Sequence, residues 1–383
     1  MLDPFGYCRG EAVQPFLKGM NLLDLVKVSD DLHMLADGIV KRTPGESQPH
    51  WNDSATEVIA GLLAYILEAP TLPATDRHIG ALRAVLSLVQ AEEKISTPIL
   101  SEMAACTGFA RLASQTARRL AKGDNETANI ISTVQTQTRW LTFERMANWL
   151  TLPSGFDLHD LKRSRLTVFL VIPPDMLKAQ GQFLRLFVRA AIGVMQTRAD
   201  DGAYKGTPCL MILDEFYSLG RMSEMQEAAA QMRKFALHLW PFLQDWGQLV
   251  ELYGEHGAQG FLTNSDATSV FGIADPATLR EISRWFDNVT PDEIEPMALQ
   301  LADQIEGSEG WRKHGFFSKD GDFIRNQRLA VRMALLQSKI GKPRRSPSEI
   351  QYAIGKRFED RLARKMYVFL RDGQVSELDL TST

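Results

Sequence analysis

Apolar positions along the chain change their spacing twice. From Trp51 to about Leu152 they recur three and four apart, with polar residues between them, which predicts helix. "NDSATEVIAGLLAYILEA" opens with cap-type residues and continues as an amphipathic helix. "TDRHIGALRAVLSLVQAEE" reads as a second helix. "STPILSEMAAC" reads as a third, with Ser96 and Thr97 as cap candidates before Pro98 near the first turn. The stretch from Gly123 to Leu150 reads as one long helix. Residues 51–152 are therefore expected to form a helical all-alpha domain.

From residue 153 to about 286 short apolar runs alternate with helical ones. "RLTVFLVI" (165–172) is β-branched and stopped by Pro173-Pro174, the pattern of a buried strand. "KAQGQFLRLFVRAAIGVMQTRA" reads as helix and "PCLMIL" as strand. "SEMQEAAAQMRKFA" reads as helix with Ser223 as N-cap, and "LHLWPFLQD" as strand. "WGQLVELYG" is a short helix closed by Gly254. "ATSVFGIA" is a fourth strand, and "DPATLREISRWF" is a helix capped by Asp275 with Pro276 just inside it. This alternation predicts an α/β fold with a mostly parallel sheet between helices. Ligands of such sheets sit at the carboxyl ends of the strands.

Outside these regions the pattern is weaker. Residues 1–50 are mixed: "NLLDLV" and "DLHMLADGIV" have helical spacing, and "KRTPGESQPH" is a polar loop. Residues 287–340 read as a polar surface excursion. In 341–383, "KPRRSPSEI" reads as a turn and helix start, and "RKMYVFLRDG" as a final strand. No internal repeat or low-complexity tract occurs.

Composition narrows the class without naming a chemistry. The 383 residues are 44% hydrophobic with a formal net charge of −4, a soluble globular balance for one large domain or two ordinary ones. Cys8, Cys106 and Cys209 have no paired spacing, which argues against a disulfide framework or a zinc site and fits a reducing compartment. The seven histidines show no ligand spacing. No run approaches the ~18 apolar residues of a membrane span. "MLDPFGYCRG" lacks the basic and apolar regions of a signal peptide. The bulk charge does not point to nucleic acid. Locally, Lys342, Arg344, Arg345, Lys356, Arg357, Arg361, Arg364 and Lys365 outnumber Glu349, Glu359 and Asp360. That tail reads either as a phosphate-binding patch or as a solvated helix face.

The sharpest chemical feature is the end of the "PCLMIL" run. Leu210–Leu213 lead straight into Asp214 and Glu215. Two carboxylates at a strand end suit phosphoryl transfer, one for magnesium and one to polarise the attacking water. Such a pair can also merely solvate a loop. The next strand end brings Gln244, placed either to feel a γ-phosphate or to cap a turn. Arg233, on the intervening helix, reads as an arginine finger acting on a neighbouring subunit or as an ordinary solvated arginine.

Several segments, in this order and spacing, resemble the coupling ATPases of type IV secretion and bacterial conjugation. They are "TVFLVIPPDMLKAQGQFLRLFV", "CLMILDEFYSLGRM", "MRKFALHLWPFLQDWGQLVELYG" and "SVFGIADPATLREISRWF". "LDPFGYCRG", "NLLDLV" and "HWNDSATEVIAGLLAYIL" resemble the segments leading into that family's helical domain. The resemblance implies a RecA-like, membrane-anchored, hexameric motor. It would use ATP and Mg at the cytoplasmic face of the bacterial inner membrane. Its cargo would be relaxase-bound single-stranded DNA or effector proteins, handed to other components of the secretion system. By position, Asp214 and Glu215 become the Walker B pair with Asp214 on magnesium. Gln244 becomes the strand-end glutamine, and Arg233 the arginine that reaches the neighbour's nucleotide. Residues 51–152 become the domain that contacts cargo and accessory proteins, and 153–286 the core that carries Walker B.

The sequence also departs from that family. The phosphate-cradling pattern G-x-x-x-x-G-K-[ST] does not occur in it, nor do amino-terminal transmembrane helices. Met1 falls where the family is already past that loop, so the chain reads as a carboxyl-terminal portion whose sheet lacks its first strands and exposes an apolar edge. Alone, it is expected to hydrolyse no ATP. Two alternatives remain open from sequence. One is a non-catalytic docking module acting through residues 51–152. The other is a different DNA-pumping ATPase, such as one of chromosome segregation, which fits "FYSLGRM" and the helical insert less well.

Overall fold

The computed structural model describes residues 1–42, 49–196, 208–286, 296, 345–354, 365–372 and 374–379. The expected excursion over 287–340 lies outside them apart from residue 296. The chain divides into two units, one of Met1–Leu243 with Glu255–Asn264, the other of Gln244–Gly254 with Ser265–Thr383.

The helical part of the first unit follows the apolar stripes. It contains α1 (Ser29–Ile39), α2 (Pro49–Glu68), α3 (Ala81–Val89), α4 (Glu93–Ala105), α5 (Leu112–Leu120), α6 (Asn125–Gln137) and α7 (Glu144–Leu150). α2 is its centre: Val58, Ile59, Leu62, Leu63 and Ile66 are buried on it, and Ala113 and Ala117 of α5 and Ile130 and Val134 of α6 share the same core. Asp124 caps α6 by accepting the Thr127 amide at 2.8 Å.

Two helical expectations change here. α4 begins at Glu93, a turn before the expected caps, and holds Pro98 inside it. The Ser96 hydroxyl donates back to the Glu92 carbonyl at 3.4 Å instead of capping. The long helix expected over 123–150 is broken. After α6 the Thr138 hydroxyl donates to the Val134 carbonyl at 2.7 Å, and a 3-10 turn, Arg139–Thr142, follows. That turn buries Trp140, whose ring lies 5.8 Å from Phe183. A straight helix would carry the indole past that partner, so tertiary packing overrides the local pattern.

After the four-residue α8 (Asp160–Arg163) the chain runs into α9 (Pro174–Gln196), β1 (Cys209–Leu213), α10 (Ser223–Gln231) and β2 (Leu237–Pro241). β1 and β2 pair in parallel, from Cys209 opposite Leu237 to Leu213 opposite Pro241. The strand expected over 165–172 reduces to a single parallel bridge, Leu2 to Leu170. The Leu2 amide donates to Phe169 and its carbonyl accepts from Val171. A ladder needs a partner along its length. Among the described residues only Leu2 pairs with it, because Asp3 then turns the chain by accepting the amides of Tyr7 at 3.0 Å and Cys8 at 2.7 Å.

α11 (Trp246–Asn264) is two helices joined at Gly254, whose φ of 71° ends the first as its sequence position suggested. The second unit carries β3 (Ala267–Phe271), α12 (Pro276–Trp285), α13 (Pro347–Ile354), β4 (Lys365–Leu370) and β5 (Val375–Asp379). β3 does not extend the parallel sheet: it pairs antiparallel with β4, which pairs antiparallel with β5. Alternation marks a strand but leaves its partner open, and here the partner comes from almost a hundred residues downstream. Val270, Leu279, Ile282, Ile350, Ile354 and Tyr367 form this unit's core. Asp275 caps α12 through the Thr278 amide at 2.7 Å, and Ser346 with Glu349 forms a capping box on α13. Among the described residues no helix is long and apolar enough to cross a membrane.

Candidate functional site

The site is built on the end of β1. The amide of Phe242 donates to the Leu213 carbonyl at 3.0 Å, so the two parallel strands stay paired to their carboxyl ends. Asp214 and Glu215 then turn the chain into a 3-10 turn, Phe216–Leu219. Phe216 and Leu219 are buried, with Phe216 edge-on to Phe261 at 5.8 Å. Their burial pulls the turn inward and leaves both carboxylates exposed, where ionised groups keep their hydration. The Ser218 amide closes on the Glu215 carbonyl and the Gly220 amide on Tyr217, both at 3.0 Å. Gly220 sits at φ 67°, a conformation that strains any side chain with a Cβ.

The turn is held from behind by a residue that the motif reading missed. Arg185 on α9 is buried, and its guanidinium donates to the carbonyls of Leu219 at 2.9 Å and Arg221 at 2.7 Å. One turn earlier, a Cβ on Gly181 would stand 3.3 Å from the Ser218 carbonyl, so α9 and the acid-bearing turn are in close contact. One turn later, Arg189 pairs with Glu224 at 2.7 Å and Asp37 at 2.5 Å. The signal was present in the sequence: two arginines four apart inside the apolar run "FLRLFVRAAI". Arginines there either face solvent or find buried partners, and sequence alone leaves that choice open.

The other expected site residues are distributed as follows. Arg233 belongs to a 3-10 turn, Met232–Phe235, that leads into β2 in the first unit. Gln244 begins the second unit and is exposed; its backbone amide donates to the Gln248 side-chain oxygen at 3.0 Å. The helix cap at this point is Asp245, which takes the Gln248 amide at 2.8 Å, so Gln244 itself does not cap. Of the basic tail, Lys342, Arg344, Lys356, Arg357, Arg361 and Arg364 lie outside the described residues. Arg345 and Lys365 are described, and both face Glu377, at 3.9 Å and 2.7 Å. Sequence counting missed that carboxylate because it lies on the strand paired with β4. Lys365 holds the Glu377 carboxyl below its ordinary value.

Two adjacent exposed carboxylates suit a hard divalent cation such as magnesium, which takes one or two of them and completes its shell with water and phosphate oxygens. No described cation pairs with Asp214 or Glu215, so their donor oxygens are available to such an ion. The phosphate-cradling pattern G-x-x-x-x-G-K-[ST] does not occur in the 383 residues.

Residues 15–293 match the family model described as type IV secretory system conjugative DNA transfer. The type IV secretion system-coupling protein VirD4 of Bartonella quintana is 28% identical over 259 residues, covering 65% of this chain and 38% of the relative. VirD4 of Agrobacterium fabrum is 27% identical over 140 residues, covering 37% of this chain and 21% of the relative. The chain thus spans well under half the length of the curated relatives it matches. Among solved structures, plasmid coupling protein TrwB with ADP and Mg2+ superposes with a TM-score of 0.59 at 14% identity, covering 95% of this chain and 71% of that one. TrwB with a non-hydrolysable ATP analogue gives a TM-score of 0.61. At that identity the likeness establishes the fold, a RecA-like α/β core with a large helical part.

Proposed function

The chain belongs to the type IV secretory conjugative DNA-transfer family, and from that premise we propose that it serves as a coupling protein, linking cargo to a transfer channel by ATP-driven movement. One observation carries the reading: the Asp214–Glu215 pair ends a parallel strand inside the matched span, raised on a turn that α9 fixes. Asp214 would hold magnesium, and Glu215 would take the proton of the attacking water. Magnesium with ATP would supply charge neutralisation on the transferred phosphoryl group. Gln244 and Arg233 are the further candidates, the first to feel the γ-phosphate, the second to reach a neighbouring subunit of a homo-hexamer. The cargo would be DNA or protein presented to residues 51–152, at the cytoplasmic face of the inner membrane. Of the basic tail, the described Arg345 and Lys365 face Glu377, so these two would contribute less to DNA contact than their charge suggests.

The missing phosphate loop favours a second reading, a docking module that binds cargo without hydrolysis. One experiment separates the two. Glu215→Gln, introduced as the only copy in the bacterium that encodes the chain, is assayed for transfer of cargo with protein level monitored. The ATP-driven reading expects transfer to fall at least ~100-fold, the scale lost when a catalytic acid–base group is removed. Wild-type transfer would eliminate it and leave the docking module.

A further inference from the structure

α9 is buried on nearly every side. Gln180, Phe183, Arg185, Leu186, Ala190 and Met195 are among its many buried residues, and they do not lie on a single stripe. Its partners divide by direction. Toward the acid-bearing turn, Arg185 grips the Leu219 and Arg221 carbonyls and Gly181 admits the Ser218 carbonyl. Toward the helical part, Gln182 donates to the Gln137 carbonyl at 3.2 Å, and the Phe183 ring meets Trp140 and Trp149. Gln137 in turn takes the Lys41 amide at 2.9 Å and donates to the Lys41 carbonyl at 3.0 Å and to Asn52 at 2.9 Å. Arg189 adds α1 and α10 through Asp37 and Glu224. These contacts form one continuous chain from the turn through α9 to Gln137 and Lys41, the kind of packed path along which a shift at one end would reach the other.

We propose that α9 couples the acid-bearing turn to the helical region, with Arg185 as the positioning residue that fixes the turn. The proposal deepens the nucleotide-site reading, because it gives that site a route to the cargo-binding region. The coupling is nonetheless a property of the protein without nucleotide and is tested there. Two directions must agree, since coupling free energy is reciprocal.

The experiment is amide hydrogen exchange on the full chain as wild type, Arg185→Met, Arg185→Lys and Gln182→Ala. In Arg185→Met the amides of Ser218 and Gly220 should exchange at least ~10-fold faster, and the Lys41 amide severalfold faster, while amides of α5 stay unchanged. Arg185→Lys, which reaches one carbonyl in place of two, should fall between. Gln182→Ala acts on the other side and leaves Arg185 in place; it should accelerate Lys41 and, through α9, Ser218 and Gly220. If the turn loosens without Lys41 in Arg185→Met, or Lys41 loosens without the turn in Gln182→Ala, α9 is a packing helix and the proposal fails. Uniform acceleration in both variants would overturn it as well, since that reports global destabilisation. A separate addition of MgADP reads the nucleotide site: no change at Asp214–Tyr217 would count against that site and leave the coupling result standing.

Discussion

On α2, Leu62, Leu63 and Ile66 are inaccessible, whereas on β1 Leu210 and Ile212 stand 52% and 57% exposed. Ile212 faces the cross-strand neighbour Trp240, itself 47% exposed and stacked on Phe242. The helical region thus completes its own core from neighbouring helices. The two-stranded sheet buries one face, through Met211 against the first unit's core, and leaves the other open. The contrast separates the tasks of the two regions. Fully buried apolar side chains are concentrated where helices pack on α2. The carboxylates are carried by an element with little core of its own and are fixed from behind by α9.

The sharpest way to break the comparison is a pair of truncations read by thermal or urea unfolding. Leu63→Ala should cost about 3 kcal/mol, within the range for a fully buried leucine that leaves a cavity. Ile212→Ala, more than half exposed, should cost under ~1 kcal/mol. Equal losses would mean that the open sheet face is covered in solution and the two regions are alike.

A smaller effect sharpens the helical side in alkali. The Tyr65 hydroxyl donates to Glu102 at 3.1 Å, and burial followed by this carboxylate pushes its pKa to about 12. Because the folded value is raised above the unfolded one, the contribution is complete below about pH 10 and fades between pH 10 and 12. Tyr65→Phe should therefore lose stability against the wild type near pH 9, with the gap closing by pH 12. A gap constant with pH would show that Glu102 does not hold the proton on Tyr65.

The smallest effect lies in acid. The Thr127 amide and hydroxyl hold the exposed Asp124 carboxyl below its ordinary value. A depressed folded value gives stability above the unfolded pKa that is lost as pH falls through the folded one, so the cap weakens below about pH 4. Asp124→Ala should flatten the acid limb of the unfolding midpoint against pH. An unchanged limb would assign that dependence to other carboxylates.

Most helices were legible in the sequence because their apolar stripes and caps are local. α2, α9 and α12 fall where spacing placed them, and Asp275 caps as its position before Pro276 required. The acid pair was legible too, as charge placed abruptly after an apolar run. Arg185 was not, because nothing local says whether an arginine in an apolar helix will find carbonyls to satisfy it. The opposition of Glu377 to the basic tail was hidden for the same reason, since β5 reaches Lys365 only through strand pairing.

By itself the sequence determined where most helices and the β1 and β2 strands fall, where Asp214 and Glu215 sit, and which family the chain resembles. Those properties rest on spacing over a few residues. Tertiary structure decided that Thr138 interrupts a helix so that Trp140 can meet Phe183. It also decided that "RLTVFLVI" keeps one bridge with Leu2, that β3 turns antiparallel to β4, and that Arg185 grips the turn behind the acids. Each of those outcomes depends on a partner distant in sequence, and a residue's own neighbours carry no record of which distant group will satisfy it.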